Sequence, residues 1–263
     1  MPEGDTIFKT AAALRPLLVG RTVLAARARQ PGPQIARVIG AEVTAIEPLG
    51  KHMVIHFSNG LALHTHLRMK GTWHRYAPGE RWRMPAWQAR VVLEVPDHVV
   101  VCFNAPVAEL MPDRAIPLHP GMKSLGPDLL AQNFNTAEAF NRLRARPTMD
   151  SAEALLDQRA LAGIGNVFKS EIMFIEGVNP WTKVSAVDDP TLQAILETAE
   201  RLLKQNVRPN SPARITTRTE GSRVWVYGRA GRPCLRCRTA IQSRRQGQLN
   251  RWTYWCPTCQ PAK

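Results

Sequence analysis

The four cysteines near the end of the chain leave the fewest choices for how it can fold. Cys234-Leu-Arg-Cys237 and Cys256-Pro-Thr-Cys259 are separated by eighteen residues. Each Cys-x-x-Cys turn offers two thiolates from one knuckle, and two knuckles close a tetrahedron around zinc. The protein fills all four positions, so the one structural Zn²⁺ expected here holds shape and does no chemistry. Residues 224–263 form too small a module to bury a sufficient core alone, which is why it needs the metal. Between the pairs, RTAIQSRRQGQLNRWTYW reads as a hairpin turning near Gln246-Gly247. Arg251 falls on the return strand, near Trp252, Tyr254 and Trp255. A guanidinium on a rigid ribbon suits a phosphate; the alternative is a solvated surface arginine.

The rest of the chain is strongly basic. Lys and Arg number 35 against 21 Asp and Glu, for a formal charge of +14. Nucleic acid is the natural partner of such a surface, since each neutralised phosphate releases counterions. Attraction to anionic membrane, or a basic surface with no partner, are the other readings. Hydrophobic residues make up 44% of the chain, which excludes a disordered protein. No apolar run is long enough to span a bilayer, and the start lacks the basic-then-apolar pattern of a leader. A soluble, intracellular protein is expected, and clustered cysteines in that compartment point to metal rather than disulfides.

Three domains are expected: a catalytic β-sandwich over 1–120, a linker and helical domain over 121–223, and the ribbon over 224–263. Asp5 reads as the cap of a helix in which Ile7, Ala11, Leu14 and Leu18 recur at helical spacing, closing near Pro16 and Gly20. From about 21 to 110, short Val/Ile/Leu runs broken by Gly, Pro and Asn read as strands of a sandwich or barrel. Pro112, Pro117, Pro120 and Pro127, with Pro106 just upstream, mark a linker or an extended crossing segment. Helical patterns return from 131 to about 206.

In LDQRALAGIGNVFKSEIMF, Gly163 and Gly165 force a tight turn and Asn166 falls at an N-cap. Such a helix start can hold a phosphate or be a plain cap, and spacing does not choose between the two. In HMVIHFSNGLALHTHLRM, Asn59-Gly60 signals a two-residue hairpin loop. Ser58 would then pair with Leu61 and Lys51 with Arg68, gathering Lys51, Arg68, Met69 and Lys70 at one end. That end is either a DNA-facing edge or a solvated strand end. His52, His56, His64 and His66 also lie here, and His64-Thr-His66 would project to one face. With no carboxylate or cysteine beside them in sequence, they are not read as metal ligands. Cys102, in VVVCF, reads as core.

The first residues, Met1-Pro2-Glu3-Gly4, admit an unusual chemistry. A small second residue favours removal of Met1, leaving proline as the N-terminus. An α-amine has a reference pKa of about 7.7–8.0 and so is partly unprotonated near neutrality. A secondary amine there attacks an aldehyde-like carbon to form an iminium ion, and Glu3 is placed to move protons. The plainer reading is a polar terminus.

Together these pieces resemble the formamidopyrimidine-DNA glycosylase / endonuclease VIII family. The resemblance rests on Met1-Pro2-Glu3-Gly4, Gly50-Lys51 before the hairpin, Gly163-Ile-Gly165-Asn166 and the Arg251-containing ribbon, in the family's order and across the whole chain. It implies an N-terminal helix plus β-sandwich, a helix–two-turns–helix domain and a zinc ribbon. It also implies a base-excision repair enzyme with glycosylase and AP lyase activities, acting on damaged DNA with no catalytic cofactor, for which a monomer suffices. On that resemblance, Pro2 attacks C1′ of the damaged nucleotide, Glu3 protonates the sugar ring oxygen, and Lys51 binds phosphate and aids proton movement. Asn166 and Arg251 hold the backbone, Met69 with Arg68 and Lys70 fills the gap left by a flipped base, and Glu171 lies near the amine. The family often reads Pro-Glu-x-Pro-Glu at the start. Here Asp5-Thr6 replaces the last two, which keeps open a non-catalytic damaged-DNA-binding protein. The purine-directed branch carries an Arg-x-Phe-like element where this chain reads CFNAPVAELM. Ser211 to Ser222 is also short for the loop that caps oxidised purines. Oxidised pyrimidines are therefore the expected substrates, over 8-oxoguanine and formamidopyrimidines.

Overall fold

Residue 4 is already helical. Helix α1 (Gly4–Leu18) is capped by Glu3 rather than by Asp5. The Glu3 carbonyl accepts from Thr6 N at 3.0 Å and Ile7 N at 3.1 Å, so the helix begins two residues earlier than its best capping residue suggests. Asp5 is instead buried in the first turn. The expected apolar stripe of Ile7, Ala11, Leu14 and Leu18 is buried, and Arg15 Nε donates to Ile46 O at 2.9 Å. This holds the start of the chain against a sheet.

The computed structural model describes residues 1–208 and 214–262. The chain divides into two compact units, Met1–Ser124 and Leu125–Lys263. The first unit is a β-sandwich. Strands β1 (Ala25–Ala28), β2 (Val43–Leu49), β3 (His52–Phe57), β4 (Leu61–His66), β5 (Thr72–Tyr76), β6 (Ala89–Val95), β7 (His98–Phe103) and β8 (Val107–Pro112) form two four-stranded sheets. Their orders are β1-β6-β7-β5 and β2-β3-β4-β8, with each described pairing antiparallel. Ile46, Met53, Ile55 and Leu63 of one sheet share a core with Val91, Leu93, Val100 and Cys102 of the other, closed by the α1 stripe. Cys102 is fully buried, as expected, and burial pushes its thiol pKa up. β5 was not anticipated; the loop that follows it returns Trp82 and Met84 over the outer face of the same sheet. The proline-rich segment is not simply extended, because it carries a 3-10 turn at Asp113–Leu118 and a short helix α2 (Pro120–Lys123).

The β3–β4 hairpin corrects the expected register. His52 pairs with His66 and His56 with Ala62, one residue out of step with a two-residue Asn59-Gly60 loop. Gly60, at φ +76°, closes a longer turn onto Phe57 O at 3.1 Å. The cause is Asn59. Its Nδ2 donates to Arg37 O at 2.9 Å and its Oδ1 accepts from Leu61 N at 3.3 Å, holding it in the loop. A slip of one residue exchanges the faces of a strand. Lys51 is therefore not the partner of Arg68.

In the second unit, α3 (Thr136–Arg144), α4 (Ser151–Leu156), α5 (Asn166–Ile175) and α6 (Asp189–Asn206) pack around one core. The ribbon hairpin, β9 (Gln242–Gln246) and β10 (Arg251–Trp255), belongs to this same unit. The ribbon packs on α5, which is buried all along Asn166–Phe174. Among the described residues, no helix is long and apolar enough to cross a membrane.

Candidate active site and nucleic-acid interface

In the first unit, Glu3 is fully buried and Pro2 half-buried, both fixed by the first turn of α1. Lys51 stands at the tip of the β2–β3 hairpin. Leu49 pairs with His52, which leaves Gly50-Lys51 as a two-residue loop. Gly50 has φ +57°, the left-handed conformation that the first central position of such a loop requires. Beneath Lys51, burial and then the Lys51 ammonium bring His66 down to about 4. Burial first, then His66, His64, His119 and Lys51, brings His52 down to about 3. Both rings are thus neutral near pH 7.

Arg68, Met69 and Lys70 are exposed in the β4–β5 loop. Leu67 is buried beneath them and Gly71 N returns to Leu67 O at 2.9 Å. A Cβ at Gly71 would lie 2.6 Å from that oxygen, so only glycine permits this closure. The turn pushes Met69 outward, where it is 50% exposed, a large apolar side chain without a core to enter.

In the second unit, the expected cap at Asn166 is corrected. Gly165 is the N-cap and Asn166 is the first residue of α5. The Asn166 amide is used across the unit instead, with Nδ2 donating to Trp252 O at 2.7 Å. This brings Asn166 beside the residue that follows Arg251, so two of the anticipated backbone-binding residues converge. One turn on, Lys169 Nζ donates to Thr253 Oγ1 at 2.6 Å, and Thr253 Oγ1 donates to Gln246 Oε1 at 2.8 Å. At the other end of α5, Arg236 donates to Phe174 O at 3.2 Å and stacks over the Phe174 ring at 4.5 Å. Lys169, Arg236 and Thr253 were not foreseen, because their partners lie far away in sequence.

Glu171 is fully buried and accepts from Trp225 N at 2.7 Å, Val226 N at 2.9 Å and Tyr227 N at 2.8 Å, and from the Thr216 hydroxyl. Burial pushes its carboxyl pKa up, and the four donors oppose that shift. Glu171→Ala is expected to destabilise the protein by about 3 kcal/mol or more, since each orphaned buried donor costs about 1–3 kcal/mol. An unchanged denaturation midpoint would refute this clasp. Of the segment from Ser211 to Ser222, residues 211–213 lie outside the described residues.

The four cysteines come together. Cys234 and Cys259 sulfurs are 3.9 Å apart, those of Cys237 and Cys256 3.4 Å, and all four lie within 4.8 Å of one another. A tetrahedron with metal–sulfur bonds of about 2.3 Å has sulfurs separated by about 3.8 Å, so the set fits a metal ion.

A helix-fronted β-sandwich, a helical segment with a glycine turn and a four-cysteine hairpin, in that order, define the fold class of the MutM glycosylases. MutM in complex with DNA containing carbocyclic 8-oxo-G aligns with a TM-score of 0.85 at 20% identity, covering 99% of this chain and 100% of that one. The formamidopyrimidine-DNA glycosylase N-terminal domain matches residues 1–107, and the H2TH domain of the same enzymes matches residues 125–217. A probable endonuclease 8 2 from Streptomyces coelicolor is 42% identical over 263 residues, 99% of this chain and 94% of its own length. A DNA-(apurinic or apyrimidinic site) lyase Nei2 from Mycolicibacterium smegmatis is 38% identical over the whole of both chains. The Escherichia coli endonuclease 8 is 29% identical over 99% of this chain. The chain belongs to the formamidopyrimidine-DNA glycosylase / endonuclease VIII family.

Proposed function

We propose that the chain is a base-excision repair DNA glycosylase with AP lyase activity that removes oxidised bases, pyrimidines in preference to purines. The observation that carries this reading is the N-terminus, where Pro2 directly precedes the fully buried Glu3 that caps α1. With Met1 removed, the Pro2 nitrogen attacks C1′ of the damaged nucleotide while Glu3 protonates the sugar ring oxygen. The base leaves, and the nitrogen and C1′ form an iminium ion. The iminium acidifies the C2′ proton. Its loss expels the 3′ phosphate, a second elimination expels the 5′ phosphate, and water releases the amine.

The other residues bind and position. Lys51 meets a phosphate beside the lesion, and Asn166 and Arg251 hold the backbone. Met69, with Arg68 and Lys70, fills the space left when the base is flipped out. Glu171 serves the reaction by holding the 216–227 segment in place. One Zn²⁺ on Cys234, Cys237, Cys256 and Cys259 stabilises the ribbon that carries Arg251. A monomer working inside the cell is sufficient for this chemistry.

Two features favour pyrimidines. The relatives quoted above are named endonuclease 8 or Nei2. In addition, β7 and β8 are joined only by Asn104, Ala105 and Pro106, with Ala105 buried, which leaves no long side chain to act as a second wedge. Cleavage of matched duplexes carrying thymine glycol or 8-oxoguanine tests the preference, with roughly tenfold or more in favour of thymine glycol expected. Faster cutting of 8-oxoguanine would reverse it, and tight binding without any cleavage would return the non-catalytic reading. Arg251→Ala is expected to weaken DNA binding about tenfold and to lower the slope of affinity against salt by about one unit, at unchanged zinc content. Unchanged affinity would remove Arg251 from the interface.

A further inference from the structure

The histidines of the β3–β4 hairpin lack a carboxylate in sequence, and the fold supplies one. β8 pairs with β4 so that Glu109 lies opposite His64. The segment after β8 then brings His119 to the same carboxylate. His64 Nδ1 is 3.2 Å and His119 Nε2 3.0 Å from a single oxygen, Glu109 Oε2. The three side chains each place a ligand atom within 4.8 Å of the others. Behind them, His52 Nδ1 lies 2.8 Å from His64 Nε2. The reaction described above uses none of these groups.

Two imidazole nitrogens about 3 Å from one carboxylate oxygen match neighbouring corners of a tetrahedron whose metal–ligand bonds are about 2.0–2.2 Å. We propose that His64, Glu109 and His119 form a second metal site, for a zinc-like divalent ion, with a fourth position open to solvent. Imidazole with a single carboxylate suits zinc or a late transition metal rather than magnesium or calcium, which prefer oxygen ligands. His64 is buried and sets the floor of the site, while Glu109 and His119 remain accessible for an ion to enter. His52 is the outer partner that orients the His64 ring.

Loading needs no net gain or loss of protons by neutral rings. Without metal, His119 Nδ1 accepts from Gly121 N at 3.1 Å, so Nε2 carries the proton and donates it to Glu109. His64 donates from Nδ1 to Glu109 and accepts at Nε2 from His52. When the ion binds, the His119 proton moves to Nδ1 and Gly121 N–H gives up that partner. The His64 proton moves to Nε2 and the His52 proton to its own Nε2. The bound ion would tie β4, β8 and the start of α2 together.

The test is equilibrium dialysis of the full-length protein against buffered free zinc, followed by metal analysis. Wild-type protein is expected to hold two equivalents, one on the four cysteines and one here. Glu109→Gln, at an exposed position, and His119→Ala should each hold one. A cobalt-loaded sample of either variant should keep its thiolate absorption. His52→Ala should retain the second ion with about 10- to 100-fold weaker affinity. His98→Ala, on the other sheet, should still hold two. A single equivalent in wild-type protein across the zinc range overturns the site. So does a second equivalent that survives both Glu109→Gln and His119→Ala, or one that His98→Ala also loses.

Discussion

A chain that keeps one residue ahead of Pro2 is expected to bind damaged DNA and fail to cut it. The extra residue converts the Pro2 nitrogen from a secondary amine into a tertiary amide. Its lone pair is then delocalised into the carbonyl and is unavailable for attack. Nothing else need change, because Glu3 still caps α1 and Ile7, Ala11, Leu14 and Leu18 still bury its inner face. The fall in rate should be on the order of 10⁴-fold or more, the scale set by removing a nucleophile from a working catalytic unit. Borohydride reduction on a duplex carrying thymine glycol or an abasic site, with mass spectrometry of the product, is the direct check. Processed protein should give a crosslink on Pro2 and the extended chain none, at similar affinity for DNA. A crosslink of equal yield on the extended chain would dismiss Pro2 as the nucleophile.

Replacing Cys237 with serine is expected to undo the ribbon. The small core around it comprises Phe174, Val226, Cys234, Ile241 and Cys256, of which two are cysteines. The hairpin has only two strands of five residues each, and such a hairpin is marginal alone in water. A four-cysteine zinc site is worth about 10–16 kcal/mol in small zinc modules, far more than this core provides. Loss of the ribbon would also remove the Asn166–Trp252 and Arg236–Phe174 hydrogen bonds and free Arg251 from its strand. Cys237→Ser should therefore lose the thiolate absorption of cobalt-loaded protein, show altered tryptophan fluorescence, and bind DNA at least about tenfold more weakly. Wild-type affinity with the cobalt–thiolate absorption lost would show that the ribbon stands without a metal, and retained absorption would show that Cys237 is not needed to hold one.

Local chemistry made much of this protein legible from sequence. The cysteine spacing identified the ribbon and its hairpin, because knuckle geometry involves residues only three apart. The spacing of Ile7, Ala11, Leu14 and Leu18 identified the buried face of α1, and Gly163 and Gly165 the turn before α5, because helical period and backbone freedom are properties of neighbours. The order of these pieces along the chain sufficed to suggest the family.

The misses among the polar residues share one cause, a partner distant in sequence. Asn59 bonds to the Arg37 carbonyl, and that bond moved the hairpin register by one residue. Asn166 reaches Trp252 rather than capping its own helix, and Glu171 collects donors from 216–227. His64 lacks a carboxylate until strand order sets β8 beside β4 and brings Glu109 to it. Sequence by itself indicated most of the elements, the four cysteines that come together and the candidate nucleophile. Only the tertiary structure decided which polar side chains share a site, because such pairings follow from strand order and packing, which short-range patterns do not encode.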